Sequence, residues 1–414
     1  MNDHRPVVEN ARRVESIIEE ISHVFYSGLP GVLSLMLGGS FGRGEGSTVM
    51  VNGVEQPFKD FDFFAIVENT AISQALRARD VLLNDAYALI GMEPYSEDKP
   101  SPGLFRITLE IISERSLTHL PNDISNVELK LASRVVGGND LRDIIPVQIA
   151  AIPPISGFRP VLNKLIGMME QWGPWVEGDH DISAAQAMYV RYHGAKINLD
   201  CAAAILLNMG HWVPGYRARC DVIRDLESKG PLHPLLGFFT EKLTEALEIK
   251  RHPDMPFTEK PSVIWKEAAA DLLQYTDILS GDIFGYRPGD GSGGYRRFFR
   301  EAKRGFFIPY AESWLRKHGI SPVSRIPDGL VIMYSLFSNI RSGQIRIVHP
   351  LIRIYAAAWL WLAHHDQNSL PEEDRSWLSK HTGIDTNDRA EIRKRVVSWF
   401  KAVGKRKRIK RSFR

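Results

Sequence analysis

"LMLGGSFGRGEGS" at residues 35–47, followed by "DFDFFAIV" at 60–67, decides how the chain is read. The first stretch runs from an apolar strand, "VLSLML" (32–37), into two glycines and a serine; the second opens a strand with two aspartates one residue apart. Side chains two apart on a strand share a face, so Asp60 and Asp62 point one way while Phe61 and Phe63 point the other, into a core. Two carboxylates this close repel one another unless a cation sits between them, and a hard ion with oxygen ligands, Mg2+ or Mn2+, suits that place. Gly38 and Gly39 let backbone N–H groups approach phosphate oxygens with no Cβ in the way. Ser40 adds a hydroxyl donor and Arg43 a charge-assisted contact. These four are the candidate nucleotide-binding residues of the turn, and Asp60 and Asp62 the candidate catalytic and metal-binding pair.

Outward from that stretch, "RRVESIIEEISHVFYSG" (12–28) has apolar residues at helical spacing. "TVMVNGVEQPF" (48–58) carries β-branched residues on both sides of Asn52-Gly53 and reads as a hairpin inserted between turn and aspartates. "ISQALRARDVLLNDAYALI" reads as a helix, "LFRITLEII" as a strand and "NVELKLASRVV" as another strand. Strands and helices interleave, so residues 1–150 form one domain of the α+β class (α/β-like), a mixed sheet with flanking helices.

After "IPVQIAAIPPISGFRP" the pattern changes to successive amphipathic helices with no convincing strand pair, so residues 151–414 are expected to be all-α. Clear helices are "VLNKLIGMMEQW", "ISAAQAMYVRYHGAKINLDCAAAILLNMG", "VIWKEAAADLLQYTDILSG" and "PLIRIYAAAWLWLAHH". The glycine-rich "RPGDGSGGYRR" (287–297) marks where this region would divide into two bundles, near 285–297.

With 414 residues, 44% hydrophobic and 24% charged, the chain has the composition of a folded protein of two or three domains. The opening "MNDHRPVVENARR" lacks an apolar h-region, and "YAAAWLWLA" (355–363) is far short of a bilayer span, so neither secretion nor membrane insertion is expected. Two cysteines, Cys201 and Cys220, are too few for a disulfide framework or a cysteine zinc site, and a reducing cytoplasm is the simplest home. Net charge is only +3, but residues 401–414, "KAVGKRKRIKRSFR", hold eight basic residues and no acid. That tail offers a contact for nucleic acid or an acidic membrane surface. Alternatively it is a solvated helix end whose cations suit the helix dipole.

Three look-alikes are set aside. Asp179 and Asp181 in "GDHDIS" repeat the Asp-x-Asp spacing with no strand after it and read as helix caps. "GDGSGG" (289–294) fits G-x-G-x-x-G but follows "YRP" rather than a strand, which argues against a dinucleotide site. The aromatic run in "YAAAWLWLAHH" has the spacing of a bundle core.

The order of strand, Gly39-Ser40, Arg43-Gly44 and a strand opening Asp60-x-Asp62 resembles the nucleotidyltransferase superfamily of DNA polymerase beta and the aminoglycoside and antitoxin-type nucleotidyltransferases. The resemblance spans residues 33–140, about a quarter of the chain. It implies a third acid on a later strand, which helps bind metal. Glu128 in "NVELKLASRVVGG" is the first choice, Glu110 in "RITLEII" its rival, and Asp123 in "LPNDIS" a distant third.

It further implies in-line attack of an acceptor hydroxyl on the α-phosphorus of an NTP such as ATP, with pyrophosphate leaving and two Mg2+ ions assisting. The acceptor is a small molecule, a protein or RNA. In relatives the helical domain supplies the other wall and a basic residue for the phosphates; Lys196 in "VRYHGAKINLDCAAA" is the candidate, a surface lysine being the alternative, with Arg217 and Arg219 weaker. The gap from Ser40 to Asp60 is longer than usual for the family, and leaves the geometry unchanged if the hairpin folds outward. Two further classes stay open: a nucleotidyltransferase fold that no longer catalyses and holds nucleic acid through the basic tail, and an Asp-x-Asp glycosyltransferase, against which the Gly-Gly-Ser turn argues.

Overall fold

The computed structural model describes residues 5–51, 53–91, 105–177, 181–232, 239–286, 288, 294–305, 350–367 and 369–412. The N-terminal part runs α1 (Arg5–Gly28), β1 (Val32–Leu37), α2 (Gly39–Gly42), β2 (Ser47–Val51), β3 (Val54–Phe58), β4 (Asp60–Val67), α3 (Ile72–Leu89), β5 (Arg106–Ser113), α4 (Glu114–Leu117), α5 (Ile124–Ala132) and β6 (Arg134–Gly138). Four strands make a mixed sheet in the order β5-β4-β1-β6, in which β1 is antiparallel to β4 and β6, and β4 is parallel to β5 across the α3 crossover. The fold is therefore α+β, as the interleaved pattern predicts.

The period-2 alternation of "DFDFFAIV" holds from Asp60 to Ala65, and the end of β4 is buried on both faces. Phe61, Phe63, Ala65 and Val67 are buried in one core with Ile18, Ile21 and Phe25 of α1 and Ala75 and Leu82 of α3. Edge-to-face pairs fix these rings, Phe25 on Phe63 at 5.2 Å and Phe41 on Phe61 at 4.5 Å between centroids. The opposite face, carrying Met36 and Ile66, packs on Val127 and Leu129 of α5 and on Ala203, Leu207 and Trp212 from the helical region. The face that bears the aspartates is thus the face that meets the second half of the chain.

Two expectations are corrected here. "NVELKLASRVV" is not one strand: helix α5 ends at Ala132 and only Arg134–Gly138 is strand. Asp123 explains the difference, because its carboxylate accepts the Asn126 N–H at 2.8 Å and caps the helix. The V-E-L-K-L alternation imitates a strand over too few residues to outweigh that cap. The β2–β3 hairpin forms with Ser47 opposite Phe58, yet it does not fold outward. Met50 N–H donates to Asp254 Oδ2 at 2.7 Å and Phe58 packs edge-on against Tyr192 at 5.0 Å, so the hairpin leans on the helical region.

That region comprises α6 (Pro154–Gln171), α7 (Ala184–Asn208), α8 (Tyr216–Glu227), α9 (Thr240–Arg251), α10 (Pro261–Phe284) and α11 (Gly294–Gly305), then helices Pro350–Ala363, Glu372–Thr382 and Arg389–Ser412. Helix α7 lies at its centre, packed by α6, α9 and α10. One buried core runs from Phe158 to Val396 and includes residues on both sides of 285–297. The aromatic run at Tyr355, Trp359 and Trp361 is part of that core. Ser183, in a capping box with Gln186, starts α7; Asp179 and residues 289–293 lie outside the described residues. The basic stretch from Lys401 continues the last helix to Ser412. Among the described residues, no single helix is long and apolar enough to cross a membrane.

Candidate active site

Antiparallel pairing of β1 with β4 sets Leu37 opposite Phe63, so the turn leaving β1 and the start of β4 share one end of the sheet. Gly38 N–H donates to Asp62 O at 2.8 Å. Gly39 has φ +60, and a Cβ there would fall 2.4 Å from Asp62 Oδ2. Only glycine permits both the left-handed backbone and this approach. The turn and Asp62 are therefore one unit, with Gly38 and Gly39 lying directly against β4.

Asp60 is exposed and Asp62 half-buried. Burial and the neighbouring Asp60 charge raise the Asp62 carboxyl above its ordinary range, while a hydrogen bond from Thr108, then Lys196 and Arg106, work against that rise. Thr108 Oγ1 donates to Asp62 Oδ1 at 3.0 Å, from the position on β5 that pairs with Asp62. Arg106 pairs with Asp60 in the same register.

Facing this end of the sheet is a polar strip on α7, with Tyr189, Tyr192, His193, Lys196 and Asp200 at positions i, i+3, i+4, i+7 and i+11 on one helix face. Asp200 accepts a salt bridge from Lys164 of α6 at 3.1 Å. Burial works against the Lys196 ammonium, but Asp200, Tyr216 and Tyr192 hold it well above the usual lysine value. Lys59, between β3 and β4, lays its ammonium 3.8 Å from the centre of the Tyr189 ring. It is the one described non-glycine residue with positive φ, at 75°. Burial lowers Lys59 to about 7, helped by Lys164 and Lys196 and opposed by Asp60. Lys250 of α9, fully buried, is lowered to about 7 by burial and by Lys196. His193 is held neutral by burial and by Lys164, Lys59 and Lys196.

A second charged network lies beside the turn. The Glu45 carboxylate accepts the N–H groups of Tyr216 and Arg217, each at 2.9 Å, at the start of α8. Arg43 donates to Glu45 at 3.2 Å and to Glu128 at 2.9 Å, and Arg219 of α8 donates to Glu128 at 2.6 Å. Lys250 donates to the Glu45 carbonyl.

The structure accordingly brings Gly38, Gly39, Ser40, Asp60, Asp62 and Lys196 to one seam, and pairs Arg43 with Glu45 and Glu128 beside it. Glu128 is not the third strand carboxylate: it lies on a helix, between two buried arginines. Glu110 lies further along β5, opposite Phe64, and Asp123 is a helix cap. Among the described residues, no group of three His, Cys, Asp or Glu side chains is placed to hold a metal. Asp60 and Asp62 do fit a Mg2+ ion that takes its remaining ligands from phosphate and water, the usual arrangement for that ion.

Lys59, Lys164, Lys250 and Glu45 were not legible as site residues. The available signal was Lys196 and Asp200, four apart on a helix apolar along one side, since buried charges occur in partnered sets. The groove of about 440 Å³ between α1 and β6, lined by Glu15, Tyr26 and Arg134 among others, contains none of these groups. No protein-family model matches the chain, and no curated protein or solved structure matches it.

Proposed function

We propose that the chain is a metal-dependent nucleotidyltransferase that moves an NMP from an NTP to an acceptor hydroxyl and releases pyrophosphate. One observation carries this reading: Asp62, pressed against the glycine-serine turn, and Asp60 beside it feel the charges of Lys196 and Lys59, and Lys196 in turn acts on Lys59, Lys164 and Lys250. Four lysines gathered at one seam, two of them with ammonium groups that burial disfavours, suit a polyanion, and a nucleoside triphosphate supplies one.

In this reading Asp60 and Asp62 hold Mg2+, which when bound supplies Lewis-acid polarisation of the phosphates. The turn bears on the phosphates from one side and Lys196 and Lys250 from the other. Thr108 holds Asp62 in orientation. The acceptor oxygen attacks the α-phosphorus as the bond to pyrophosphate breaks, and its proton passes to water or to Asp60, which is exposed.

The test is transfer of label from each α-phosphate-labelled NTP into a desalted cell lysate with Mg2+ or Mn2+. Label that requires Asp60 and Asp62 supports the reading, and its sensitivity to RNase, to protease or to neither names the acceptor class. A second reading, a silent module of the same fold that binds nucleotide or nucleic acid, draws on Thr108 standing opposite Asp62 where a third carboxylate is expected. Nucleotide bound without transfer, or RNA binding that persists in Asp60→Asn and falls steeply with salt, would favour it.

A further inference from the structure

We infer that Glu45 is a positioning residue, which sets the lysine wall of the helical region at a fixed distance from the glycine-serine turn. The inference rests on the proposed polyphosphate site and adds a residue that neither touches the phosphates nor holds metal. Glu45 belongs to the turn, because its N–H donates to Ser40 O at 2.8 Å. Its carboxylate belongs to the other half of the molecule, capping α8 through the N–H groups of Tyr216 and Arg217.

Gly215, the residue before that helix, has no side chain with which to cap it, so the cap comes from 171 residues away in the case of Tyr216. The Tyr216 ring lies 5.7 Å from Lys196 Nζ and presents its hydroxyl to that ammonium. The same ring lies 5.4 Å from Lys250 Nζ, and Lys250 in turn donates to the Glu45 carbonyl. Turn, Glu45, Tyr216 and the two lysines form a closed circuit, and the circuit spans the seam where the aspartates sit.

Glu45→Gln leaves one amide oxygen where two carboxylate oxygens serve the Tyr216 and Arg217 N–H groups, leaves Arg43 with Glu128 as its remaining carboxylate, and frees Tyr216 to shift. Lys196 and Lys250 then move relative to the turn although neither has been altered. A role confined to stability would lower the melting temperature and leave the ligand affinity of the folded protein unchanged.

The experiment measures binding of inorganic tripolyphosphate by calorimetry to the full chain and to Glu45→Gln, Tyr216→Phe, Lys196→Met and the Glu45→Gln/Lys196→Met double variant. Glu45→Gln and Tyr216→Phe are each expected to weaken binding about tenfold. The double variant is expected to lose clearly less than the sum of the two single losses, because Glu45 acts in part through that lysine. Losses that simply add, or single variants that bind like the parent, overturn the inference. If Glu45→Gln does not fold, Tyr216→Phe decides, since it removes one hydroxyl and keeps the helix cap. Intact tripolyphosphate binding and coupling without label transfer would sink the transferase and leave Glu45 in its role; no binding by the parent chain would overturn both.

Discussion

At the scale of single residues, the start of β4 is a place where local stability is given up. Asp62 sits half-buried next to a second carboxylate, and burial and that neighbour together raise its carboxyl. Neutralising it while keeping an acceptor for Thr108 should relieve the repulsion. Asp62→Asn is therefore expected to raise the melting temperature of the ligand-free protein, by the equivalent of about 1 kcal/mol, while abolishing nucleotide transfer. Differential scanning calorimetry beside the label-transfer assay checks both halves of the statement. Gly39→Ala should do the reverse at the same spot. With φ +60 and a Cβ aimed 2.4 Å from Asp62 Oδ2, alanine strains the backbone by about 1–2 kcal/mol and displaces the carboxylate. A lower melting temperature together with lost Mg2+-dependent nucleotide binding is the expected result. A Gly39→Ala protein that binds and melts like the parent would contradict the close packing of turn and strand.

At the scale of elements, Glu128 shows where local sequence stops being informative. Its neighbours alternate like a strand, and the resemblance asks for an acid on one, yet the residues form a helix whose start is written in Asp123. The stretch at Asp60 was legible because it alternates over Asp60–Phe63 and then runs apolar to Val67, and one core accepts Phe61, Phe63, Ala65 and Val67. The helical wall was legible only as helices. Which of its side chains meet the sheet depends on contacts such as Arg219 with Glu128, 91 residues apart, that no local period encodes. The consequence can be measured. Arg43 and Arg219 are almost fully buried and share Glu128 as a counter-ion, with side-chain exposures of 7% and 4%. Glu128→Ala takes away the carboxylate that Arg219 pairs with and leaves Arg43 with Glu45 alone, and is expected to destabilise the protein by about 3 kcal/mol. A catalytic acid would behave differently, losing rate with little loss of stability, so a chemical denaturation series run beside turnover separates the two roles.

At the scale of the whole molecule, the sheet and the helical region share buried surface through Ala203, Leu207 and Trp212, and the same seam holds buried lysines. Lys250 at about 7 and Lys59 at about 7 both lie far below the ordinary lysine value, chiefly through burial. In the unfolded chain these groups keep their protons up to the ordinary value of about 10.4. Between pH 7 and that value the unfolded chain binds more protons than the folded one, so the stability of the ligand-free protein should rise with pH across the window. The slope is about 1.4 kcal/mol per pH unit for each lysine, and below pH 7 the contribution is flat because both states are protonated. A bound triphosphate reverses the preference, since it stabilises the charged ammonium groups. Binding of ATP with Mg2+ at pH 8 is therefore expected to take up protons, and affinity to fall as pH rises above 7, by up to about tenfold per pH unit for each linked lysine. Calorimetric titration in two buffers of different ionisation enthalpy reads the uptake directly. Lys250→Met should remove part of it, because the remaining cations no longer include one that is neutral before the ligand arrives. Binding without proton exchange at pH 8 would mean that these lysines do not meet the phosphates, and the anion site would have to be sought elsewhere in the seam.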